Sequence, residues 1–412
     1  MKLTVCDSIM GSGKTQAAIN RMNTDTEHNY IFITPYLNEV YRIKEDCSER
    51  KFAEPLQKGD GKLDNMHNLI GERRNIASTH ALFKTYTDYT LELIRNGDYK
   101  LILDEVFDVV EWIHVSKKDV QILLESNQLT IAEDGRVSWV DDTYAGKFSE
   151  LKAIADTGHL ILYKDYFLYW VFPVEVFAAF KEVIILTYQF DAQVQKYYYD
   201  LNGVEFDKIY TKRVSDNEYE FSDSPHPEPY VSRLKDRVHI LEDEKLNAIG
   251  FDDNALSASW YNREKVKRVK FLMQTLKKNL YNLFFHKFTC PVGDRMWTTF
   301  KDAKQYLTGK GYTNSFVSYN LRASNNYKGR THIAYCVNVY FNPFLKNYFL
   351  EQGVEVREDA YALSEMVQFL WRSAIREGKD IWVYIPSSRM RRILTNWLEN
   401  LKGENENEQR KN

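Results

Sequence analysis

The stretch DSIMGSGKTQAA, from Asp7 to Ala18, indicates the fold of the first half of the chain. The residues before it, MKLTVC, alternate loosely and end apolar, as a short buried strand does. The glycine–serine–glycine turn at 11–13 has little side-chain bulk, so backbone N–H groups can point inward and surround a phosphate. Lys14 and Thr15 open a predicted helix, whose positive N-terminal end faces the same anion. Strand, loop and helix in this order predict a phosphate-binding loop, with Ser8 in place of the usual first glycine.

A second stretch, LILDEV, ends an apolar run with two adjacent acids, Asp104 and Glu105. Ligands of parallel α/β sheets collect at the carboxyl ends of the strands, so we expect these acids to lie beside Lys14 and Thr15. Asp104 is predicted to hold Mg²⁺ next to the Thr15 hydroxyl, and Glu105 to orient and deprotonate the water that attacks the γ-phosphate. Two surface acids at a strand end are the alternative interpretation. The apolar residues before them and the loop upstream favour nucleoside triphosphate hydrolysis.

Length and composition limit the classes of protein that the chain can belong to. Its 412 residues predict two domains, and 44% hydrophobic residues are enough to build buried sheets. A net charge of −3 excludes a global positive field, so nucleic-acid binding would require local patches. Four cysteines without metal-ligand spacing favour reduced thiols in a cytoplasm. We expect no signal peptide, no membrane contact and a cytoplasmic location.

Strands alternate with helices in both halves, which predicts parallel sheets with helices on both faces. The expected organisation is a first domain over 1–200 with an elaboration at about 114–172, a linker region over 201–225, a second domain over 226–402 and a disordered tail over 403–412. The run EVIILTYQFD is predicted to be a strand beside the Asp104 strand. Its polar end either senses the γ-phosphate or only terminates the strand.

A helix is predicted from about Tyr361 to Arg376, within ALSEMVQFLWRSAIREG. Gln368, Arg372 and Arg376 follow each other at intervals of four, so they would project from one face of this helix. Solvated arginines are the ordinary interpretation of such a face. An arginine offered across a domain cleft would instead stabilise charge on the transferred phosphate.

In the order of these motifs the chain resembles the superfamily 2 (DExD/H-type) helicases, and in particular compact helicase-like proteins of bacteriophages. The matching segments are MGSGKT (motif I), ITPYLNEV (motif Ia), ASTHALF (the threonine–histidine segment), LILDEV (motif II), ILTYQF (motif III), NLRASNNY (motif V) and QFLWRSAIR (motif VI). The chain departs from the family at DEVF, which lacks the terminal Asp or His, and at Trp371, where motif VI usually has glycine. The resemblance implies two tandem RecA-like α/β domains with a small insertion in the first.

The loop, the acids and the resemblance together nominate the site residues. Catalytic candidates are Lys14, Glu105, Gln368, Arg372 and Arg376, and either arginine could be the finger that reaches the transferred phosphate. Nucleotide-binding candidates are Gly11, Ser12, Gly13, Lys14, Thr15 and Gln16, and Mg²⁺ candidates are Thr15 and Asp104. By the resemblance, the nucleic-acid candidates are Thr34, Pro35, Tyr36, Thr79, His80, Asn320 and Arg322.

Together with these residues, the resemblance implies a nucleic-acid-stimulated ATP hydrolase with ATP and Mg²⁺ as ligands. It would act as a helicase or translocase that moves along single-stranded DNA and unwinds duplex in phage DNA replication or recombination. Single-stranded or partly duplex nucleic acid is the expected partner, with DNA favoured over RNA, and a partner in the replication machinery is compatible with this role. Two alternatives remain open: a double-stranded DNA translocase or remodelling ATPase that does not unwind, and a P-loop kinase or switch whose turnover is indifferent to nucleic acid.

Overall fold

The structure is a computed structural model that describes residues 2–57, 61–216, 218–226, 231–266, 271–321 and 326–409, with the backbone alone at 232, 266 and 402–409. The chain divides into two compact units. The first unit comprises Met1–Pro225 and Asn342–Val356, and the second comprises His226–Phe341 and Arg357–Asn412. A short segment from the second half of the sequence therefore belongs to the first unit.

Strands and helices alternate along most of the described chain. The strands are β1 (Lys2–Asp7), β2 (Tyr30–Thr34), β3 (Ile76–Thr79), β4 (Lys100–Asp104), β5 (Val110–Ile113), β6 (Leu129–Ile131), β7 (Val137–Trp139), β8 (Leu160–Tyr163), β9 (Phe167–Val171), β10 (Glu182–Thr187), β11 (Asp207–Ser215), β12 (Glu218–Ser222), β13 (Val238–Ile240), β14 (Arg295–Thr298), β15 (His332–Tyr335) and β16 (Ile381–Tyr384). The α-helices are α1 (Lys14–Thr24), α2 (Leu37–Asp46), α3 (Lys62–Gly71), α4 (His80–Phe83), α5 (Asp88–Asn96), α6 (Lys117–Glu125), α7 (Ser149–Ala155), α8 (Glu175–Ala178), α9 (Val194–Leu201), α10 (Leu234–Arg237), α11 (Glu244–Asn247), α12 (Ala258–Val266), α13 (Phe271–Asn282), α14 (Lys304–Leu307), α15 (Pro343–Glu351), α16 (Glu358–Leu370) and α17 (Ser388–Gln409).

The first unit is built on a sheet of seven strands in the order β12-β11-β1-β10-β4-β2-β3. Six strands run parallel, and β12 pairs antiparallel with β11. β2 and β10 are buried at every residue, as expected for interior parallel strands with helices on both faces. Because the six strands are parallel, their carboxyl ends meet at one edge of the sheet.

The core of the first unit forms where helices cover this sheet. Tyr30 and Phe32 of β2 and Ile184 of β10 face inward and pack with α1 and α2. On α1 the apolar residues Ala18 and Met22 are four positions apart, so they lie on one face and bury together. This packing fixes the start of α1 over the carboxyl edge of the sheet, where β1 ends.

The stretch 201–225, for which the sequence predicts a linker, instead contains β11 and β12. β11 pairs parallel with β1 through Thr4 and Asp207, and Ile209 enters the core. The remaining side chains of β11 are mostly polar because this strand lies near the edge of the sheet, where one face is solvated. The linker was predicted because the stretches YYYDLNG before β11 and SDSPHPEP at the end of β12 and after it interrupt the strand–helix pattern in the sequence.

A small insertion interrupts the first unit after β4, close to the predicted elaboration at 114–172. It contains the antiparallel sheet β5-β9-β8, the hairpin β6-β7 and the helices α6 and α7. These elements share a core of their own, which includes Val120, Leu129, Trp139 and Leu160.

The helix α15 packs on this insertion although it lies about 170 residues further along the chain. The rings of Trp112 and Phe344 stack with centroids 4.0 Å apart, and the Tyr169 hydroxyl donates to the Phe344 carbonyl at 3.1 Å. Tyr348 contacts Tyr169 at 4.8 Å between centroids. These aromatic contacts explain why Asn342–Val356 belongs to the first unit.

The second unit has a parallel sheet of four strands in the order β13-β16-β15-β14. Its core includes Trp297, Ala334 and Tyr384 from three of these strands, and Leu276 and Leu280 from α13. The α/β fold class predicted from the sequence, with parallel sheets flanked by helices in two tandem RecA-like domains and a small insertion in the first, is confirmed.

The last helix, α17, runs to Gln409 and so extends into the stretch 403–412 that the sequence predicts to be disordered. Residues 410–412 lie outside the described part of the chain. Among the described residues, no helix combines the length and the apolar character needed to cross a bilayer. The four cysteines are buried free thiols.

Candidate active site

The phosphate-binding loop, residues 8–15, connects β1 to α1. Gly11 and Gly13 have φ angles of 83° and 79°, a left-handed conformation that costs other residues about 1–2 kcal/mol. The first helical bond of α1 runs from the Ala17 N–H to the Gly13 carbonyl at 2.8 Å. The N–H groups before it have no partner within the helix, so they are available to an anion in the loop.

Lys14 lies within this loop. Its Nζ donates to the carbonyl oxygen of Ser8 at 2.5 Å and to that of Ile9 at 3.1 Å. The Ser12 hydroxyl is buried and has no hydrogen-bond partner among the described residues. A buried hydroxyl is costly unless it is hydrogen-bonded, and a phosphate oxygen would supply the bond. The loop therefore fits a phosphate by its backbone, its ammonium group and its hydroxyl.

The loop meets the acid pair through Thr15, whose Oγ1 donates to Asp104 Oδ1 at 3.3 Å across 89 positions of sequence. Burial raises the pKa of the Asp104 carboxyl to about 7, and the neighbouring carboxylates of Glu105 and Glu39 add to the rise. Near neutral pH this carboxyl therefore holds a proton about half of the time, which a divalent cation would displace. A hydroxyl and a carboxylate are oxygen ligands of the kind that Mg²⁺ uses, together with water and phosphate.

Glu105 follows β4 in a left-handed conformation, with φ of 67°. Its backbone N–H donates to the Leu186 carbonyl at 2.9 Å, which holds the corner against β10. The half-buried carboxylate makes no hydrogen bond or ion pair within the described ranges. A strained backbone at a non-glycine residue is typical of functional sites, because selection for position outweighs the cost. Glu105 is thus a carboxylate held at the sheet edge by its backbone alone.

The strand β10 lies between β1 and β4, so the prediction that it neighbours the Asp104 strand is confirmed. At its end the Thr187 hydroxyl and the Gln189 side-chain oxygen are buried without a hydrogen-bond partner among the residues described. Asp7, at the end of β1, accepts from the N–H groups of Gln189 at 2.7 Å and Phe190 at 3.1 Å. Asp7 thereby ties the turn after β10 to the start of the phosphate-binding loop.

The predicted nucleic-acid residue Thr34 does not reach the surface. Its side chain is fully buried at the end of β2, and its hydroxyl lacks a hydrogen-bond partner in the part of the chain that the structure describes. The reason is that β2 is an interior strand with both faces covered. Pro35 and Tyr36, which follow it, are half-buried.

His80 contacts the strand that bears the acids, and Thr79 precedes it at the end of β3. Thr79 ends β3 in register with Thr34, and His80 begins α4. The His80 Nε2 lies 3.2 Å from the backbone oxygen of Asp104, a distance suited to an N–H donor. Both side chains are half-buried, so a ligand in solvent can reach this pair, and His80 in turn contacts the strand that bears the acid.

Three predicted site residues belong to α16 and the turn after it, in the second unit. The sequence places Gln368, Arg372 and Arg376 on one face of a helix that continues to 376, and this prediction is wrong. The helix ends at Leu370, and Ser373 caps a separate 3₁₀ turn over Ala374–Glu377.

The break has two causes, one local and one tertiary. The backbone of Ser373 is extended, with φ of −83° and ψ of −170°, and its hydroxyl donates to the Leu370 carbonyl at 2.6 Å. The next backbone N–H, that of Ala374, donates a hydrogen bond to the Arg330 carbonyl at 2.8 Å, outside the helix. Serine hydroxyls that bond to nearby backbone groups in this way compete with the helical hydrogen bonds, which favours the end of a helix.

The two arginines consequently have different environments. Arg372 is buried, and its guanidinium donates to the Tyr319 carbonyl at 3.4 Å. Arg376 is exposed on the 3₁₀ turn. Gln368, on α16, donates to the Ser364 hydroxyl at 3.3 Å.

Of the two nucleic-acid candidates in the second unit, Asn320 is exposed and accepts a hydrogen bond from the Ser318 hydroxyl at 2.7 Å. Arg322 lies outside the described residues.

Comparison with known proteins identifies relatives of the whole chain. The SPbeta prophage-derived protein YonV of Bacillus subtilis (strain 168) is 41% identical over 97% of this chain and 99% of its own length. The chain belongs to the YonV family. Models of two YonV domains match as well: the middle domain over residues 110–170, and the C-terminal Rossmann-like domain over residues 232–398. The YonV middle domain thus coincides with the insertion, and the Rossmann-like domain with most of the second unit.

Solved structures of helicases align with this YonV-family chain. An XPD helicase aligns over 96% of this chain and 95% of its own, with a TM-score of 0.49 and 10% identity. The Xpd4 protein of S. tokodaii aligns over 96% and 94%, with a TM-score of 0.42 and 12% identity. The DUF1998 helicase MrfA bound to DNA aligns over 97% of this chain and 49% of its own, with a TM-score of 0.33 and 9% identity.

Not every residue of the candidate active site was identified from the sequence. Asp7 was missed, although an acid directly between an apolar strand and a glycine turn was a signal for it. Glu39 and Arg42, an ion pair at 3.2 Å on α2, both act on the Asp104 carboxyl. Nothing in the local sequence indicates this electrostatic interaction, since it depends on how α2 packs.

Proposed function

We propose that this chain is a nucleic-acid-stimulated ATP hydrolase that acts as a helicase or translocase on single-stranded DNA, as the superfamily 2 resemblance implies. The observation that carries the proposal is the 3.3 Å contact between Thr15 and Asp104. It joins a phosphate-binding loop to an acid pair, and this combination suits hydrolysis of a nucleoside triphosphate. The prophage origin of the YonV relative supports a role in phage DNA replication or recombination.

The residues of the loop bind the triphosphate. Backbone N–H groups at the start of α1 donate hydrogen bonds to the phosphate oxygens, and the Ser12 hydroxyl donates to one of them as well. Lys14 exchanges the carbonyls of Ser8 and Ile9 for phosphate oxygens, which places its charge against the reacting end of the nucleotide.

The residues beside the loop would activate water and hold the metal. Thr15 and Asp104 would provide oxygen ligands for Mg²⁺, which would supply positive charge to neutralise the phosphate. Glu105 lies next to Asp104, and its carboxylate has no ion-pair partner among the described residues, so it can accept a proton from the attacking water. The left-handed corner at Glu105 fixes this carboxylate relative to β10, which lies beside the loop strand.

Nucleic acid would act on the same acids through the segment Thr79–His80. Because the His80 ring contacts the backbone of Asp104, a strand that binds at this segment would shift the acid and change the hydrolysis rate. Pro35, Tyr36, Asn320 and Arg322 remain proposed contacts to the phosphate backbone, which would give affinity without sequence reading.

An arginine is the remaining catalytic group that the resemblance implies. We assign it to Arg376 rather than Arg372, because the Arg376 side chain is exposed whereas that of Arg372 is buried. Gln368 stays a proposed neighbour of the reacting phosphate.

The test is the ATPase rate of the full chain with Mg²⁺, measured alone and with single-stranded DNA, duplex DNA and RNA. We expect single-stranded DNA to stimulate the rate. Lys14→Ala and Glu105→Gln should each abolish turnover, whereas Glu105→Gln should still bind ATP. Lys118→Ala and Glu133→Gln are matched controls at exposed positions of the insertion, and both should hydrolyse ATP at the parent rate.

The outcomes separate the candidate functions. Stimulation with strand release from a partial duplex supports a helicase, and stimulation by duplex without release supports a double-stranded DNA translocase. Turnover that ignores every nucleic acid would favour the kinase or switch. Full activity in Lys14→Ala would refute hydrolysis at this loop.

A further inference from the structure

The ring of Tyr219, on β12, lies directly against the phosphate-binding loop. A Cβ atom placed on Gly13 would lie 2.3 Å from Cγ and Cδ1 of this ring and 2.6 Å from Cδ2. Atoms cannot approach so closely, so glycine at 13 is required both by its positive φ and by the aromatic ring beside it. Neither the phosphate-binding chemistry nor the acid pair uses this tyrosine.

Tyr219 is held in place by contacts from both sides. β12 pairs with β11 through Arg213 and Tyr219, and the Asn20 side chain on α1 donates to the Tyr219 carbonyl at 3.0 Å. The Gln16 amide in turn donates to Asn20 at 3.2 Å. Gln16, which the sequence nominates as a nucleotide contact, thus supports the residue that holds the hairpin. The tyrosine is half-buried, so part of its ring is accessible.

The order of the strands indicates how a bound nucleotide is oriented along the edge of the sheet. β10 and β4, with the acids, lie on one side of β1, so the reacting end of a triphosphate in the loop points to that side. The nucleoside end must then leave the loop on the opposite side, where β11 and β12 lie. Tyr219 is the aromatic side chain placed on that side against the loop.

We propose that Tyr219 is the stacking surface for the base of the bound nucleotide. The proposal rests on the proposed function, because it adds a base site to the same triphosphate site. The amide groups of Gln16 and Asn20 already donate within the contact between α1 and the hairpin. Recognition therefore relies on the face of the base rather than on its edge. A purine, with its larger ring, is preferred to a pyrimidine, and adenine and guanine are bound alike.

The experiment compares ADP with pyrophosphate by calorimetry on the full chain. Pyrophosphate fills the phosphate site without a base. We expect Tyr219→Ala to weaken ADP binding about tenfold and to leave pyrophosphate binding unchanged. Tyr219→Phe should bind ADP like the parent. Tyr89→Ala removes an exposed ring from α5 and serves as the matched control, with ADP binding unchanged.

A second measurement needs no variant. The parent chain should bind ADP and GDP within about threefold of each other, and both more tightly than CDP and UDP, because stacking strength follows ring size. Equal binding of purine and pyrimidine diphosphates, or equal weakening of ADP and pyrophosphate by Tyr219→Ala, would overturn the base site while the hydrolysis proposal stands. A parent chain that binds neither ADP nor pyrophosphate would overturn both proposals.

Discussion

Replacing Asp104 by asparagine tests the electrostatics of the site. Asparagine resembles the protonated carboxyl in shape but carries no charge at any pH. Because burial and two neighbouring carboxylates disfavour the Asp104 anion, we expect Asp104→Asn to be more stable than the parent chain above neutral pH. The same change should remove Mg²⁺-dependent hydrolysis, since it deletes a charged ligand.

The magnitude follows from the pKa. The pKa of this carboxyl is raised from 3.8 to about 7 in the folded chain, and each unit corresponds to 1.36 kcal/mol, which gives roughly 4 kcal/mol in full. Asp104 is only half-buried and solvent screens part of the effect, so we expect about 2 kcal/mol.

The sign of the pH dependence is fixed by the direction of the shift. Well below pH 3.8 the carboxyl is protonated in both the folded and the unfolded chain, so parent and variant should be equally stable, and at pH 4 only a small part of the difference is present. Between pH 4 and 7 the unfolded chain releases the proton while the folded chain retains it, so the parent loses stability as the pH rises. Above pH 7 the difference should level off at its largest value.

The assay is urea unfolding at pH 4 and pH 8 in EDTA, followed by a spectroscopic signal of the first unit. Asp108→Asn is the matched control, because Asp108 is an exposed acid four positions along. It should change the free energy of unfolding by no more than about 0.5 kcal/mol at either pH. A variant Asp104→Asn that is no more stable than the parent at pH 8 would refute the reasoning.

Two further predictions concern the loop and the arginines. Gly13→Ala should lower the free energy of unfolding of the first unit by about 1–2 kcal/mol through its φ alone. It should also weaken nucleotide binding, because the added methyl group displaces the Tyr219 ring. ADP affinity equal to that of the parent in calorimetry would contradict the contact between Gly13 and Tyr219. Arg376→Ala should lower kcat about a hundredfold or more with ATP binding retained, in stopped-flow and equilibrium binding measurements. Arg372→Ala should instead destabilise the second unit by about 1–3 kcal/mol, because it removes a buried hydrogen bond. If Arg376→Ala turns over normally and folded Arg372→Ala does not, the finger is Arg372.

The local sequence predicted those parts of the fold that local chemistry controls. Residues 7–18 indicate the end of a strand, a tight turn and the start of a helix, because the glycine, lysine and threonine residues have strong local conformational preferences. The predominantly apolar runs of β2 and β10 indicate interior parallel strands, because such strands are buried on both faces. The acids at 104 and 105 could be assigned to the site because parallel strands present their carboxyl ends at one edge.

Contacts between distant segments were decided by the tertiary structure. The pairing of β11 with β1 converts a polar stretch that resembles a linker into part of the sheet, and places Tyr219 on Gly13. Ser373 ends a helix whose apolar periodicity continues past it, because the chain finds a partner at Arg330. The Thr34 side chain is buried because helices pack over β2, and the residues next to Thr34 in the sequence do not specify that packing. Short-range preferences determine which elements form, whereas burial and strand pairing over many residues determine which side chains meet.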